Sequence, residues 1–404
     1  MPISPLSRFL CLYTALFAAF GAASPFLPAL LQERGLGSSA IGLVLGLGSA
    51  IRLLTGPLGG RLADRSGAPR PVLAAGLAAA AVVALGYAPA RGLLPLALVS
   101  VAHAALLAPL SPVADALSLR AGERPGGFEY GWVRGAGSAA FIFGNVAAGL
   151  TVGWAGLDVI IWLNAILLAV AAVFAAKLPV PAAAPPPSRR AERSSGIRDL
   201  LALPMFTRLM LVAALVGGSH ALHDGFEVIR WQTAGMGPGA AGMLWGESVA
   251  AEVLVFFVLG PVIIDRLGPG TAAMLAAASG VVRWGTAAVT AALPAMALVE
   301  PLHGFTFALL HLTCVRMITR IVPAQLAATA QAFYGTVAVG AASTALTFAS
   351  GPLYGRLGAS AFWVMAALCT VALPISWGLR GSPSSSPSPA SVRIASGEAP
   401  GYEK

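Results

Sequence analysis

The chain has 404 residues, of which 57% are hydrophobic and 10% are charged. An ordinary soluble domain has about 25% charged residues, so this composition excludes a soluble globular enzyme, and its apolar content excludes a disordered chain. The three cysteines lie inside apolar stretches, which excludes a disulfide framework. We therefore expect lipid to be the solvent of this protein.

The net charge of +9 raises the alternative of a nucleic-acid partner. A nucleic-acid-binding chain concentrates its basic residues on one face or arm, with aromatic residues available for stacking. Most basic residues here lie instead in the gaps between apolar stretches. We therefore predict contact with a lipid bilayer and no binding of nucleic acid.

Twelve stretches are long and apolar enough to cross a membrane, which takes about 20 residues in a helix. They are continuous and do not alternate in polarity, so they predict helices and not a β-barrel. In chain order they are Phe9–Leu31, Ile41–Gly60, Val72–Ala88, Leu93–Leu119, Tyr130–Val152, Val159–Ala176, Leu209–Ile229, Ala240–Ile264, Ala272–Leu293, Ala295–Ile318, Leu326–Phe348 and Ala361–Leu379.

The distribution of basic residues predicts the orientation in the membrane. With a cytoplasmic N-terminus, the segments on the outer side hold four basic residues, Arg34, Arg91, Arg230 and Arg356. Most others fall on the inner side, as the positive-inside rule requires. The first stretch exceeds the 7–15 residues of a signal-peptide core, so we expect it to remain in the protein. These patterns predict a multi-pass protein of the cytoplasmic (inner) membrane with both termini in the cytoplasm.

A change in composition divides the stretches six and six. The segment 179–208 contains a Pro/Ala stretch followed by charged residues, which is typical of a semi-rigid linker. We predict an N-terminal six-helix bundle over 1–178, this cytoplasmic linker, a C-terminal bundle over 209–380 and a disordered tail over 381–404 rich in Ser and Pro.

Two corresponding gaps, one in each half, carry a glycine turn with an Asp-Arg pair. The members of the repeat are Gly60, Asp64, Arg65 and Gly67 in the first half, and Gly260, Asp265, Arg266 and Gly268 in the second. Weak internal symmetry of this kind is the expected trace of a duplicated six-helix unit. An ordinary positive-inside turn is the alternative.

The first copy of this repeat resembles the loop signature of the major facilitator superfamily, a Gly-x-x-x-Asp-Arg-x-Gly motif. Apart from the linker and the tail, the whole chain is similar to the 3-phenylpropionate transporter family of that superfamily, and distantly to proton symporters of the lactose permease type. The motifs that carry the resemblance are Pro112-Val-Ala-Asp115-Ala, Tyr130-Gly-Trp-Val-Arg134-Gly, Gly218-Ser-His220-Ala, Ala251-Glu252-Val253, Gly280-Val-Val-Arg283-Trp284 and Leu302-His303-Gly.

Charged side chains within the predicted spans are candidates for function, because each costs about 2.5–3.5 kcal/mol to insert near the bilayer centre. Asp115 and Arg134 lie near facing ends of consecutive helices, so we expect them to pair and to bind substrate. A loop-anchoring salt bridge is the alternative. The resemblance places Phe141 where the lactose permease stacks an aromatic ring on its sugar, and a packing role is the alternative.

A second group of candidates lies in the C-terminal half. We expect Glu252 to carry the proton, with His303 assisting, since histidine titrates near neutral pH. Arg283 is expected to modulate Glu252 or to anchor a substrate carboxylate, and His220 matches a family motif for substrate binding. A static buried pair and hydrogen-bonded structural histidines are the alternatives.

The seventh predicted helix also carries His223, Asp224 and Glu227 on one face together with His220, and Arg230 follows them. Imidazole and carboxylate groups could hold a divalent metal, but Arg230 can pair with Glu227, so we predict no metal site and assign the cluster no role. Arg52 lies within the second predicted helix and lacks a local partner; a substrate anion or a helix C-terminus could face it.

Enzyme motifs are absent or fall in the wrong context. Gly237-Pro-Gly239-Ala-Ala-Gly242 matches a dinucleotide-binding motif but follows a membrane helix and not a strand, and the chain has no P-loop.

We therefore expect a monomeric secondary transporter without a cofactor, driven by the proton gradient, which imports a small aromatic organic acid by alternating access. A sugar or nucleoside symporter, a proton-driven exporter and a sensor without transport activity are the alternatives.

Overall fold

The computed structural model describes residues 4–124, 127–179 and 197–380. Within them, ten stretches are long and apolar enough to cross a membrane, and a shorter apolar helix accompanies them. The last stretch is divided at Gly358, whose φ of +55° reverses the chain direction. The resulting segments are α1 Pro5–Ala23, α2 Ser38–Arg65, α3 Pro69–Leu85, α4 Leu93–Gly122, α5 Tyr130–Ala155, α6 Val159–Ala176, α7 Pro204–Thr233, α8 Pro238–Leu267, α9 Pro269–Val289, α10 Leu293–Ile321, α11 327–357 and α12 Phe362–Trp377.

The prediction of an all-α membrane protein with twelve transmembrane segments is confirmed, and the described residues include no strand. Most boundaries shift by a few residues from the predicted ones, and two of the differences change a segment. The first predicted span is split, because α1 ends at Ala23 and a short helix Leu27–Glu33 follows. The seventh span begins earlier, at Pro204, since proline suits the first turn of a helix. Most of the predicted linker (180–196) and the predicted tail (381–404) lie outside the described residues.

Several membrane segments are interrupted within their length. In α4 the helix breaks at Ala108 and Pro109, because proline cannot donate the backbone hydrogen bond of an unbroken helix. In α8 and α10 the backbone widens into π-helical turns at Val255–Leu259 and Gly304–Leu309. Such turns occur frequently at functional sites. The first begins three residues after Glu252, and the second directly follows His303.

Close backbone packing joins α1 to α5 in the N-terminal half. A Cβ built on Gly21 would lie 2.2 Å from the carbonyl oxygen of Phe141, and one built on Gly144 would lie 2.5 Å from that of Ala18. Helices in lipid associate through such small residues, since apolar side chains gain little from leaving lipid. Asn164 of α6 donates a hydrogen bond of 2.9 Å to the carbonyl of Ala19, which fixes a third helix against this pair.

The two halves contact each other mainly through α2 with α11 and α5 with α8. Both contacts involve pairs of glycines. A Cβ built on Gly42 would lie 2.6 Å from the Cα of Gly351, and one built on Gly149 would lie 3.1 Å from the Cα of Gly242. All four residues lie towards the end of the bundle that holds the loops 24–26 and 234–237, which we call the closed end. The opposite end, where α1 begins and α12 ends, is called the termini end.

Candidate functional site

A cavity of about 700 Å³ lies between the two halves of the protein. Its volume falls within the range of about 300–1,000 Å³ that is usual for small-molecule sites. Side chains from both halves line it, and they include four of the five histidines in the chain. Among the described residues, the arginine, histidine and carboxylate side chains of the lining are Arg52, His103, Arg134, His220, His223, Asp224, Glu252 and His303.

The cavity extends from beneath the closed end towards the termini end. Leu27 and Leu30 line it on one side, and Ser111 and Arg134 line it on the other. Backbone contacts between glycines seal the closed end. On the termini side of α5, by contrast, a Cβ built on Gly131 would meet nothing within 4 Å. The structure therefore holds a cavity between two halves that touch at one end.

Asp115 and Arg134 do not form the predicted ion pair. The hydroxyls of Tyr13 and Tyr130 donate hydrogen bonds of 2.5 and 2.9 Å to Asp115 Oδ1, so the carboxylate is satisfied by α1 and α5 without a guanidinium. Arg134 instead lies over the ring of Phe17, 4.7 Å from its centroid. These hydrogen bonds join three helices of the N-terminal half. Asp115 is not among the described lining residues of the cavity.

Arg134 and Phe141 both line the cavity from α5. They are seven residues apart, which is two helical turns, so they lie on the same face of the helix. The Nη1 atom of Arg134 is buried without a hydrogen-bond partner among the described residues. This side chain therefore retains hydrogen-bonding capacity at the cavity wall. Its predicted role in substrate binding stays a prediction, as does that of Phe141.

Arg283 is fully buried in the C-terminal half, where it meets an acidic partner that was not predicted for it. Its Nη2 atom donates a hydrogen bond of 2.5 Å to Oε2 of Glu300, whose side chain is 2% exposed. A buried guanidinium requires such a partner, because an unpaired charge in a low-dielectric interior is strongly unfavourable. Glu300 thus neutralises Arg283 inside the bundle.

His303 connects this buried pair to Glu252 at the cavity wall. Arg283 Nη1 donates to His303 Nδ1 at 3.0 Å, and His303 Nε2 lies 3.6 Å from Glu252 Oε2. Because a guanidinium has only donors, Nδ1 of His303 must accept, so the hydrogen of a neutral ring is on Nε2, facing Glu252. The three predicted residues Glu252, Arg283 and His303 therefore come together in one connected group.

His223 forms the other side of the same network. Its Nε2 atom accepts a hydrogen bond of 3.1 Å from Arg283 and lies 3.3 Å from Glu300, while Nδ1 is 3.3 Å from Asp224 Oδ1. The ring of Trp245 stacks on His223 with 4.7 Å between ring centroids. We call Glu252, His303, Arg283, Glu300, His223 and Asp224 the C-terminal polar network. It links acidic side chains at the cavity wall to buried Glu300.

His220 lies beside this network. Its Nε2 atom is 3.0 Å from Thr306 Oγ1, and its ring centroid is 5.1 Å from that of His303. His220 also lines the cavity, as a substrate-binding residue must. By contrast, His311 is hydrogen-bonded to the hydroxyl of Tyr334 at 3.0 Å, a contact between two helices of the C-terminal half.

Glu227 and Arg230 lie deeper in the closed end and pair at 3.3 Å. Glu227 is fully buried, and its Oε2 atom has no hydrogen-bond partner among the described residues. In the part of the chain that the structure describes, no group of three or more His, Cys, Asp and Glu residues is arranged to hold a metal ion.

The repeated turns share the backbone conformation that glycine favours. Gly67 and Gly268 have φ values of +61° and +79°, in the left-handed region. In the second copy Asp265 accepts a short hydrogen bond from Arg316, which joins the end of α8 to α10. Arg65 and Arg266 are exposed at the termini end, and Gly60 lies inside α2 with open space beside it.

Glu300, Tyr13 and Tyr130 are the site residues that sequence reasoning missed. Glu300 lies three residues before His303, which is helical spacing, so its proximity to the family motif could have indicated it. Nothing in the sequence near Tyr13 indicates Asp115, since 102 residues separate the two.

The fold and the cavity define a multi-pass membrane transporter built from two helical halves. The profile of the MFS_1 like family matches residues 6–365. The chain belongs to this family of the major facilitator superfamily, and it is a transporter and not an enzyme.

Relatives cover almost the whole chain. A protein of Escherichia coli (strain K12) named a probable 3-phenylpropionic acid transporter is 34% identical over 374 residues, which is 91% of this chain and 96% of that protein. The maltose permease of Geobacillus stearothermophilus is 30% identical over 365 residues, 89% of this chain and 90% of the permease. The crystal structure of the nucleoside transporter NupG has the same fold, with a TM-score of 0.80 at 15% identity, covering 94% of this chain and 98% of that one.

Proposed function

We propose that this transporter is a proton-coupled symporter that imports a small aromatic organic acid by alternating access. The observation that carries the proposal is the cavity of about 700 Å³ between two halves that touch at one end. With the orientation predicted by the positive-inside rule, the closed end is extracellular and the cavity faces the cytoplasm. Rocking of one half against the other would expose the same cavity to the outside.

The C-terminal polar network supports proton coupling. Glu252 lies at the cavity wall with its side chain 28% exposed, so water in the cavity can deliver a proton to it. The Nε2 atom of His303 is 3.6 Å away and connects Glu252 to the buried pair of Arg283 and Glu300. Protonation of Glu252 would remove a charge that opposes closure of the cavity, because an ionised carboxylate is costly to seal away from water.

Arg134, Phe141 and His220 supply the substrate contacts in this proposal. They face the cavity from both halves, and an aromatic ring beside a cation suits an aromatic anion. Arg134 is also within electrostatic range of Glu252, on the opposite wall. The relative from Escherichia coli, whose name specifies 3-phenylpropionic acid, supports the choice of substrate class.

Purified full-length protein in liposomes that contain a pH-sensitive dye tests the proposal. Addition of 3-phenylpropionate outside is expected to acidify the lumen faster than in liposomes without protein, and radiolabelled substrate should accumulate when a pH gradient is imposed. Passive entry of the protonated acid is the background, so liposomes with the Glu252→Gln variant, which is expected to lose proton coupling, serve as a second control. Equal acidification in all three preparations contradicts the proposal.

A sugar symporter is the second candidate, favoured by the 30% identity to a maltose permease. The same liposomes distinguish it, because maltose and other uncharged sugars would then acidify the lumen and aromatic acids would not. Outward movement of preloaded compounds would indicate an exporter, and absence of flux for every compound would favour a sensor.

A further inference from the structure

A group of polar side chains in the N-terminal half lies outside the network described above. Arg52 on α2 and His103 on α4 both line the cavity, and Tyr87 and Ser100 line it next to them. The ring of Tyr87 meets the ring of His103 edge-on at 5.8 Å, and its hydroxyl is hydrogen-bonded to Ser100 Oγ at 3.1 Å. We call these four residues the N-terminal polar group.

Packing of α2 against α4 holds Arg52 and His103 close together. A Cβ built on Gly48 would lie 3.5 Å from the Cβ of Ala104, so the two helices are in contact next to Arg52 and His103. Arg52 follows Gly48 by one helical turn, and His103 directly precedes Ala104. Arg52 is also within electrostatic range of the His103 imidazole.

Neither side chain has its hydrogen-bonding capacity satisfied within the described protein. Arg52 forms no hydrogen bond or ion pair with any described residue, although its guanidinium carries five donors. His103 is 6% exposed, and its buried Nε2 atom has no partner among those same residues. A polar side chain that is nine-tenths buried is normally hydrogen-bonded, so the unpaired Nε2 atom of His103 calls for a ligand. The guanidinium of Arg52 is exposed and lines the cavity beside His103, so it can contact the same ligand.

The charges on the two walls of the cavity differ. Of the described lining residues, those of the N-terminal half include Arg52 and Arg134 but no carboxylate, whereas the C-terminal half supplies Asp224 and Glu252. Arg134 faces the carboxylate of Glu252 and stacks on the ring of Phe17. Arg52 has neither a carboxylate nor a stacked aromatic ring as a partner among the described residues. The group around Arg52 is therefore the part of the wall with an uncompensated positive charge.

We infer that Arg52 and His103 form an anion subsite that binds the carboxylate of the transported compound. This inference rests on the proposed function, and it assigns the carboxylate to a specific part of the cavity. A guanidinium binds a carboxylate through two parallel hydrogen bonds, and the imidazole adds a further hydrogen bond. An unpaired Arg52 opposes closure of the cavity around it, since sealing a lone cation from water is unfavourable. A bound carboxylate neutralises Arg52 and permits closure, so the subsite selects acids over uncharged compounds of the same shape.

Calorimetric binding to the full-length protein in lipid nanodiscs tests the subsite separately from proton coupling. The probes are 3-phenylpropionate, its uncharged amide, benzoate and acetate. Loss of one charge-assisted contact, worth about 1.5–3 kcal/mol, is expected to weaken carboxylate binding by about tenfold or more in Arg52→Gln. Binding of the amide should change by less than about twofold, because it lacks the charge. His103→Leu should weaken carboxylate binding, and His103→Gln, which retains a donor, should weaken it less.

Two controls keep the result interpretable. Arg91→Gln changes an arginine that donates to the carbonyls of Ala88 and Ala90 outside the cavity, and it should bind every probe like the wild type. Arg52→Lys preserves the charge but cannot form two parallel hydrogen bonds. Its carboxylate affinity should lie between those of the wild type and Arg52→Gln. It also provides a folded comparison if Arg52→Gln is unstable.

The outcomes separate the subsite from the proposed function. If wild type transports 3-phenylpropionate and both Arg52 variants still prefer the acid to the amide as wild type does, the subsite is wrong and the proposed function stands. If 3-phenylpropionate is neither bound nor transported but benzoate or acetate binds in an Arg52-dependent way, the proposed substrate is wrong and the anion subsite is supported. Absence of binding by all three carboxylates overturns the subsite.

Discussion

Arg283 of α9 and Glu300 of α10 are joined by a hydrogen bond of 2.5 Å, with side chains 0% and 2% exposed. The pair lies at the centre of the C-terminal polar network, where both His303 and His223 accept hydrogen bonds from the same guanidinium. A single buried cation thus orients two imidazole rings. This arrangement links the stability of the C-terminal half to the geometry of the proposed proton site at Glu252 and His303.

Replacement of Glu300 by Gln should strongly destabilise the protein. It leaves Arg283 buried without a neutralising charge, and breaking a buried ion pair costs about 3–5 kcal/mol. Thermal unfolding of the purified protein in one detergent measures the effect as a lower midpoint. Asp265→Asn serves as the control, because its pair with Arg316 is partly exposed and should contribute about 1 kcal/mol or less. Equal midpoints for the two variants would contradict the assigned role of Glu300.

Replacement of Glu252 by Gln should uncouple transport from the proton gradient. One proton moving down a gradient of one pH unit supplies about 1.4 kcal/mol, enough for about tenfold accumulation of substrate. In Glu252→Gln the accumulation ratio is expected to fall to about one, while exchange of labelled for unlabelled substrate continues. Uptake into liposomes with and without the gradient measures both quantities.

Glu247→Gln is the matched control for that experiment. Glu247 lies on α8 like Glu252 but does not belong to the described lining of the cavity. This variant should retain gradient-driven accumulation. If both variants accumulate substrate like the wild type, Glu252 is not the proton carrier.

A larger residue at Gly149 should prevent sealing of the closed end. A Cβ there would lie 2.6 Å from the carbonyl oxygen of Pro238 and 3.1 Å from Gly242 Cα, and overpacking of this kind costs about 1–3 kcal/mol. Gly149→Leu should therefore slow transport by about tenfold and expose the cavity at the closed end. Labelling of Val44→Cys by an impermeant thiol reagent, in a chain with Cys11 replaced by serine, reports that exposure, because Val44 lines the cavity and is fully buried.

Gly153→Leu provides the comparison on the same helix. It is four residues from Gly149, and a Cβ built there meets nothing within 4 Å. Transport and thiol labelling should stay at the level of the unmodified background. A closed end that is equally protected in both leucine variants would show that the glycine contact does not seal it.

Two glycines of the repeated motif should respond to alanine in opposite directions. Gly67 has a φ of +61°, where a side chain costs about 1–2 kcal/mol, so Gly67→Ala should lower the midpoint of thermal unfolding. Gly60 lies within α2 with open space around it, and alanine there should stabilise the helix by up to about 1 kcal/mol. A higher midpoint for Gly67→Ala would refute the backbone argument.

Much of the architecture could be predicted from the sequence. Long apolar stretches in lipid have only helices or closed barrels as solutions, so hydropathy determined the class and the number of segments. Motifs at Glu252, Arg283 and His303 also indicated residues that the structure brings into one connected group. These features are local, or are expressed in patterns that need no knowledge of distant contacts.

Tertiary structure alone decided which charged groups meet. Asp115 binds tyrosines of α1 and α5 and not Arg134, and Arg283 takes Glu300 as its partner, because helix rotation and packing select among several acids within reach. Only the packed helices show that Arg52 and His103 share a wall of the cavity without a partner. In lipid, each segment becomes a helix because a helix satisfies the backbone hydrogen bonds within that one segment. Pairing of side chains depends instead on how helices that are far apart in the chain are placed relative to each other.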